Sequence, residues 1–244
     1  MNSSAPTPSP AGDTDISVLA TATVSGVLDA LLPEFERTSG HKVVRWDATA
    51  GKVRDRLLEG AAADVAFVTA SVIAEVEKAG RLVAGTKVVL ARSALGVAIA
   101  KGAARPDLSD EAAIVRLILG ARTIALTDPD GGGNTGRYFM GVADRLGVGA
   151  QVRAKTRLYR HGGHVSEGVA AGEADFGITV ISEIVPIPGA AVGGALPASL
   201  QNVSITYAAL VSGARHPDAG RALIAYLTAP AAAAAIRANG MEPG

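Results

Sequence analysis

Two stretches of this chain, GAAADVAFV (60–68) and AGEADFGITV (171–180), follow one plan: a glycine that closes a helix, an Ala-Asp pair, then an apolar run with the length of a buried strand. Chance can produce one such pair, but each copy sits in the same surroundings. Ahead of the first, ISVLA (16–20) reads as a strand. VSGVLDALLPEFERTSG then reads as a helix with Val24, Val27, Leu28, Leu31, Leu32 and Phe35 on one face, ended by Gly40. Pro33 stands against that helix, because an interior proline costs about 3 kcal/mol unless the helix kinks or starts late. KVVRW gives a strand, 52–59 a helix, DVAFV a strand, and 71–79 a helix closed by Gly80; KVVLA and LGVAIA follow as apolar runs. Around the second copy the alternation recurs, with helices in DEAAIVRLILG, GRYFMGVADRLG and HVSEGVAAG and strands in TIALT, KTRLY and DFGITV. Strands alternating with helices over short connections build parallel sheets covered on both faces, so two similar α/β units are expected. The tail holds a long strand, NVSITYAALVSG, and helices in HPDAGRALIAYLT, with Pro217 in its first turn, and PAAAAAIRANG. The second unit is complete without it, so the tail is expected to return to the first.

Composition removes several function classes. The 244 residues are 48% hydrophobic, enough to bury one large core or two small ones. With 23 Lys+Arg against 23 Asp+Glu there is no basic excess to attract a phosphate backbone, so nucleic acid is not an expected partner. The absence of cysteine leaves neither a disulfide framework nor a thiolate metal site, and suits an extracytoplasmic or a cytoplasmic address alike. An aromatic content of 4% supplies a sugar-stacking platform poorly. Residues 1–14 carry three prolines and no apolar run, and read as a flexible tether rather than a signal peptide. No stretch approaches the ~20 apolar residues of a membrane span.

The chemistry concentrates in DPDGGGNTGRY (128–138), where three glycines, an asparagine and a threonine precede a helix. Free N–H groups at a helix N-terminus carry roughly half a positive charge, and glycine lets backbone approach a ligand closely. Residues 131–136 would therefore offer an anion several donors. A nucleotide-binding P-loop does not fit, because Arg137 and Tyr138 fill the places of its Lys and Ser/Thr. Catalytic frames are also lacking: there is no G-x-S-x-G elbow, no H-E-x-x-H helix and no recognisable carboxylate pair. A binding protein is expected and an enzyme is not.

Two α/β lobes, the first discontinuous, with crossing strands between them and a ligand cleft at their junction, describe the type II periplasmic-binding-protein fold. From residue 16 to 243 the sequence resembles the molybdate-binding-protein family of extracytoplasmic solute receptors for ABC importers. The resemblance is carried by ISVLATATVSGVLDALLPEFERTSGHKV, LLEGAAADVAFVTASVIAEVEKAG, IALTDPDGGGNTGRYFMGVADRLG, GGHVSEGVAAGEADFGITVISEI and ARHPDAGRALIAYLTAPAAAAAIRANGMEP. It implies lobe 1 over 15–92 and 205–244, lobe 2 over 93–204, and closure near 91–95 and 203–207 over a small anion. It further implies delivery to a membrane permease, a monomer, no cofactor, and a periplasmic or other extracytoplasmic location, with a cytoplasmic chain as the alternative.

By the same resemblance the first binding segment is ATATVSG, with Thr23 at a position where the family uses a serine hydroxyl and Thr21 and Ser25 flanking it. The second is DATAGK, where Thr49, Ala50 and Gly51 replace a serine run and only Thr49 keeps a hydroxyl. On lobe 2 the family uses backbone donors near Asn134, Thr135 and Gly136 and others near Gly162 and Gly163. Its tyrosine position reads Val180 here, with Ser182 two residues on. Each unmet charge-assisted hydrogen bond to a buried dianion costs about 1.5 to 3 kcal/mol, so these departures bear on molybdate itself; the expected ligand is a small oxyanion of the molybdate or tungstate kind, with a small organic carboxylate or another solute as the alternative. RHGGH (160–164) is a candidate compensation, with His161 or Arg160 supplying a cation. Two imidazoles around a double glycine are a weak metal signal, and none is expected. Asp64 and Asp175 read as structural, holding turns at strand starts, and Arg45, Trp46 and Asp47 as a cleft rim.

Overall fold

The computed structural model describes residues 15–131 and 133–244; the tether expected over 1–14, and Gly132 of the glycine loop, lie outside the described residues. Strand β1 (Asp15–Thr21) leads through a 3-10 turn (Ala22–Val24) into α1 (Ser25–Ser39), then β2 (Lys42–Ala48), α2 (Ala50–Leu58), β3 (Val65–Thr69), α3 (Ala70–Lys78) and β4 (Val88–Ser93). Helix α1 runs through Pro33. The proline is exposed while Val27, Leu28, Leu32 and Phe35 are buried, so the carbonyl it leaves unpaired lies on the solvent side and burial of the opposite face holds the helix. Gly40 closes α1 with φ 76°, a left-handed conformation that favours glycine.

The second half repeats the pattern: β5 (Leu95–Ala100), α4 (Glu111–Gly120), β6 (Ile124–Thr127), α5 (Asn134–Arg145), α6 (Gly149–Lys155), β7 (Thr156–Tyr159), α7 (Gly162–Ala170), β8 (Phe176–Val180) and β9 (Ala190–Ala195). The tail supplies β10 (Ser204–Leu210), α8 (Pro217–Thr228), α9 (Ala233–Ala238) and β11 (Glu242–Pro243). Elements α6, β9 and β11 have no counterpart in the sequence reading. AAVGGA in β9 carries too little apolar bulk to register as a strand, and Gly149 opens α6 without a side-chain cap.

Two sheets result, ordered β2-β1-β3-β10-β4-β11 and β7-β6-β8-β5-β9. Both place a parallel trio beside an antiparallel strand, β10 in one and β5 in the other, so the halves share a topology and the molecule is a bilobal α/β protein. Each sheet is covered on both faces. Ile16, Leu28, Phe67, Leu210 and Leu223 pack on one side of the first, and Leu19, Val53, Val68 and Val76 on the other. In the second, Val97, Ile124, Phe139 and Ile178 form one core and Ala98, Ala125, Val165 and Val169 the other.

The paired aspartates hold equivalent places. Asp64, 1% exposed, accepts from the Ser17 N–H and hydroxyl at 2.8 and 2.9 Å and from the His216 N–H at 2.8 Å, tying the start of β3 to β1 and to the tail. Asp175 accepts from the Arg122 N–H at 2.6 Å and the Thr123 N–H, tying the start of β8 to β6. No single helix among the described residues is long and apolar enough to cross a membrane.

Candidate functional site

In both sheets the parallel strands end on the cleft, and the helices that follow begin there, the usual position for ligands in open α/β sheets. A cavity of about 350 Å³ lies between the lobes. Its first-lobe wall is built from Ala22 and Thr23 after β1, Thr49 and Ala50 after β2, and Thr69, Ala70 and Ser71 after β3. Its second-lobe wall is built from Thr127, Gly133, Asn134 and Thr135 at the start of α5, His161 and Gly162 at the start of α7, and Val180 and Glu183 after β8. Leu95 and residues 202–205 of the crossing segments form the back.

Helix N-termini thus converge from several directions. The 3-10 turn after β1, α3 and α5 have no side-chain cap from the residue that precedes them. The α5 start is braced from below: the Thr127 hydroxyl accepts from the Gly136 N–H at 2.8 Å and lies 2.9 Å from the Thr135 hydroxyl. Gly136 is required there, since a Cβ would collide with the Thr127 carbonyl oxygen.

Of the residues expected at the site, Thr23, Thr49, Ala50, Asn134, Thr135, His161, Gly162 and Val180 line this cavity. The others do not. Thr21 is buried with its hydroxyl lacking a protein partner, and Ser25 donates to Asp47 at 2.6 Å. Gly51 is buried within α2, Gly136 is engaged with Thr127, Gly163 lies beyond the first residue of α7, and Ser182 is buried with its N–H bonded to the Ser93 hydroxyl. Two lining side chains are spent on the opposite lobe: Thr49 Oγ1 donates to the Gly131 carbonyl at 3.1 Å, and Asn134 Nδ2 donates to Ser71 Oγ at 2.7 Å. Of the proposed rim, Trp46 is partly buried against the first-lobe core with the Arg56 guanidinium 4.8 Å above its ring, and Arg45 pairs with Asp29 and Asp47.

The compensating cation is corrected. Arg160 is exposed and absent from the cavity wall, and among the described residues no Lys or Arg lines it. His161 does line it, but burial, then the neighbouring His164 and Arg160, push its pKa down to about 4, so the ring is neutral near pH 7. It stacks on His164 at 3.6 Å and its Nδ1 accepts the His164 N–H, which leaves Nε2 to carry the proton.

The residue that sequence reading missed is Glu183. It is 8% exposed, lines the cavity, and accepts from the Thr179 hydroxyl at 2.8 Å and from the Gly162 N–H. Burial raises its pKa to about 7 against the lowering effect of those two donors. The available signal was one acid inside the otherwise apolar run ITVISEIVPI (178–187). Among the described residues no cluster of His, Cys, Asp or Glu is placed to hold a metal ion.

Two lobes sharing one topology around a common cleft define a periplasmic-binding-protein fold. Residues 16–242 match the family model for bacterial extracellular solute-binding proteins, and the chain belongs to that family. It is 28% identical to a Pseudomonas sp. aconitate isomerase over 94% of this chain and 88% of that protein. Among solved structures it is similar to the periplasmic molybdate-binding protein of Azotobacter vinelandii, with a TM-score of 0.78 and 21% identity over 94% of this chain and 99% of that one. It is also similar to PEB3 of Campylobacter jejuni with bound L-phospholactate, with a TM-score of 0.68 and 16% identity over 94% and 100% of the two chains.

Proposed function

We propose that this solute-binding protein closes its lobes over a small organic anion bearing more than one carboxylate, rather than over a bare tetrahedral oxyanion such as molybdate. The cavity carries this reading. Its ≈ 350 Å³ equals on the order of ten water volumes, and its back wall includes Leu95, Val203 and Ile205. A four-oxygen anion would leave most of that space unfilled and the apolar wall untouched. A branched or extended organic acid would set carboxylates on helix N-termini of both lobes and its carbon skeleton against the wall. Aconitate and phospholactate, named for the two relatives, are organic acids.

The same reading has the binding residues on Thr23, Thr135, His161 Nε2 and the open N–H groups of the surrounding helix starts, outside the cytoplasm, with the loaded receptor docking as a monomer on an ABC permease. A thermal-shift series with molybdate, sulfate, phosphate and mono-, di- and tricarboxylates tests it. A ligand at one hundred times its Kd adds about 2.7 kcal/mol to stability. Stabilisation by di- or tricarboxylates is expected; a response to molybdate alone returns the ligand to the oxyanion class, and a response only to neutral solutes removes the anion.

A second reading, an isomerase acting on the bound acid, is favoured by the 28% relative and by Glu183 in the cavity wall. Moving a double bond within an unsaturated acid requires a group that takes a proton from one carbon and returns it to another, and needs no redox partner. Proton NMR of cis- and trans-aconitate incubated with the protein decides it: interconversion supports the enzyme, and binding without chemical change supports the receptor.

A further inference from the structure

We infer that Glu183 and the bound anion hold one proton between them, so that capture of a fully ionised ligand takes one proton from solvent. This rests on the anion-receptor reading above. The Glu183 carboxyl forms part of the wall that the anion must meet, and it is pinned there. Thr179 Oγ1 donates to Oε2, the Gly162 N–H donates to the carboxyl, and the space a Cβ at Gly162 would need is taken by Oε2 and the Thr179 hydroxyl. These two donors hold the Glu183 carboxyl at the start of α7.

A second carboxylate placed beside it finds no Lys or Arg on the cavity wall among the described residues. The 3-10 turn over Ile181–Glu183 brings no other titratable group, and β5, β8 and the Ala22–Val24 turn packed near it bring none. Helix α7 brings His161, His164 and Glu167, with Arg160 just before it. Glu167 and Arg160 are exposed, and His161 is held neutral, with a pKa of about 4. Two carboxyl groups in contact without a cation cannot both stay ionised. Either Glu183 is protonated and donates to a ligand oxygen, or a protonated ligand donates to Glu183. The proton count is the same. Burial has already raised the Glu183 pKa to about 7, so the empty site loses its proton just where a neutral-pH ligand arrives ionised.

Titration calorimetry of the full chain with propane-1,2,3-tricarboxylate tests this, run in buffers of different ionisation enthalpy between about pH 8 and 9, above the ordinary carboxylate range. Wild type should take up close to one proton per ligand, and its affinity should fall about tenfold per pH unit. Glu183→Gln keeps a donor without a titrating proton, so its uptake should vanish and its affinity should become flat with pH; Glu167→Gln, exposed on α7 and off the cavity wall, should retain the uptake. Binding to wild type with no proton uptake overturns the inference, as does equal uptake by Glu183→Gln. If that variant does not fold, the wild-type buffer series decides alone. If the tricarboxylate does not bind folded wild type, while other anions do or do not, the polycarboxylate reading falls first and this inference with it.

Discussion

Glu183 and His161 sit at neighbouring points of one cavity wall and are displaced in opposite directions by the same cause, removal from water. Their effects on stability run opposite ways. Glu183 has a folded pKa of about 7 against an ordinary 4.5, so the folded protein holds a proton that the unfolded chain has lost, and stability falls as pH rises from 4.5 to about 7. For His161 the unfolded chain holds the extra proton, so stability is lost as pH falls from 6.5 towards about 4. Glu183→Gln should therefore become more stable relative to wild type as pH rises through that window, by roughly 3 kcal/mol from the size of the shift. Urea denaturation of both proteins at each end of the window measures it, and a constant difference between them would refute the assignment. Thr21 offers a second test at this scale. Its hydroxyl is buried without a protein partner and lies outside the cavity wall, so Thr21→Val should stabilise the protein by about 1 kcal/mol and leave ligand affinity unaltered. Loss of binding in that variant would restore Thr21 to the site.

At the scale of elements, the Ala-Asp pairs fix how each second strand meets its parallel partner, yet the two clamps differ in depth. The Asp64 carboxyl is fully enclosed; burial raises its pKa, but the His216 and Ser17 N–H groups and their side chains outweigh that and hold it below the usual value. The Asp175 side chain is 33% exposed, and its bonds come from Arg122 and Thr123 at the surface. Asp64→Ala should cost about 3 kcal/mol, because it leaves several buried donors unpaired, and Asp175→Ala about 1 kcal/mol; paired thermal melts give the ranking, and equal losses would count against it. The aspartates were legible as structural because each stands directly before a strong apolar run, while their partners, 47 to 152 residues away, were not. So were the helix starts that carry Thr23, Thr49, Asn134 and His161, each marked by small residues after a strand. Strand β9 was not legible, since its pairing with β5 is set by the sheet rather than by its own Ala-Gly composition. Glu183 escaped for a related reason: its Thr179 partner is four residues away, but Gly162 and the cavity it faces are brought against it only by the tertiary fold. Thr21 and Ser25 lie off the cavity wall, the one with its hydroxyl buried and the other bonded to Asp47, because spacing within a turn does not fix side-chain orientation.

For the whole molecule, what matters is the balance between open and closed lobes. The two lobes touch across the cavity through Thr49 with Gly131 and Asn134 with Ser71, while Gln201 ties the crossing segments by accepting from the Leu95 N–H at 2.7 Å and donating to the Leu95 and Leu196 carbonyls. The crossing point is therefore braced, and the two hydrogen bonds across the mouth are among the contacts that opening would break. Each is worth about 1 kcal/mol, or a factor of about 5 in the closed-to-open ratio. Asn134→Ala removes one contact without touching the backbone donors of α5. Its empty form should be more open, and its apparent affinity should drop by about that factor, since ligand must restore the closed state before it is held. X-ray scattering with and without ligand reads both quantities: a larger radius of gyration for the empty variant than for empty wild type, converging once each is saturated. Identical scattering of the two empty proteins, with affinity unchanged, would mean that Asn134 plays no part in closure.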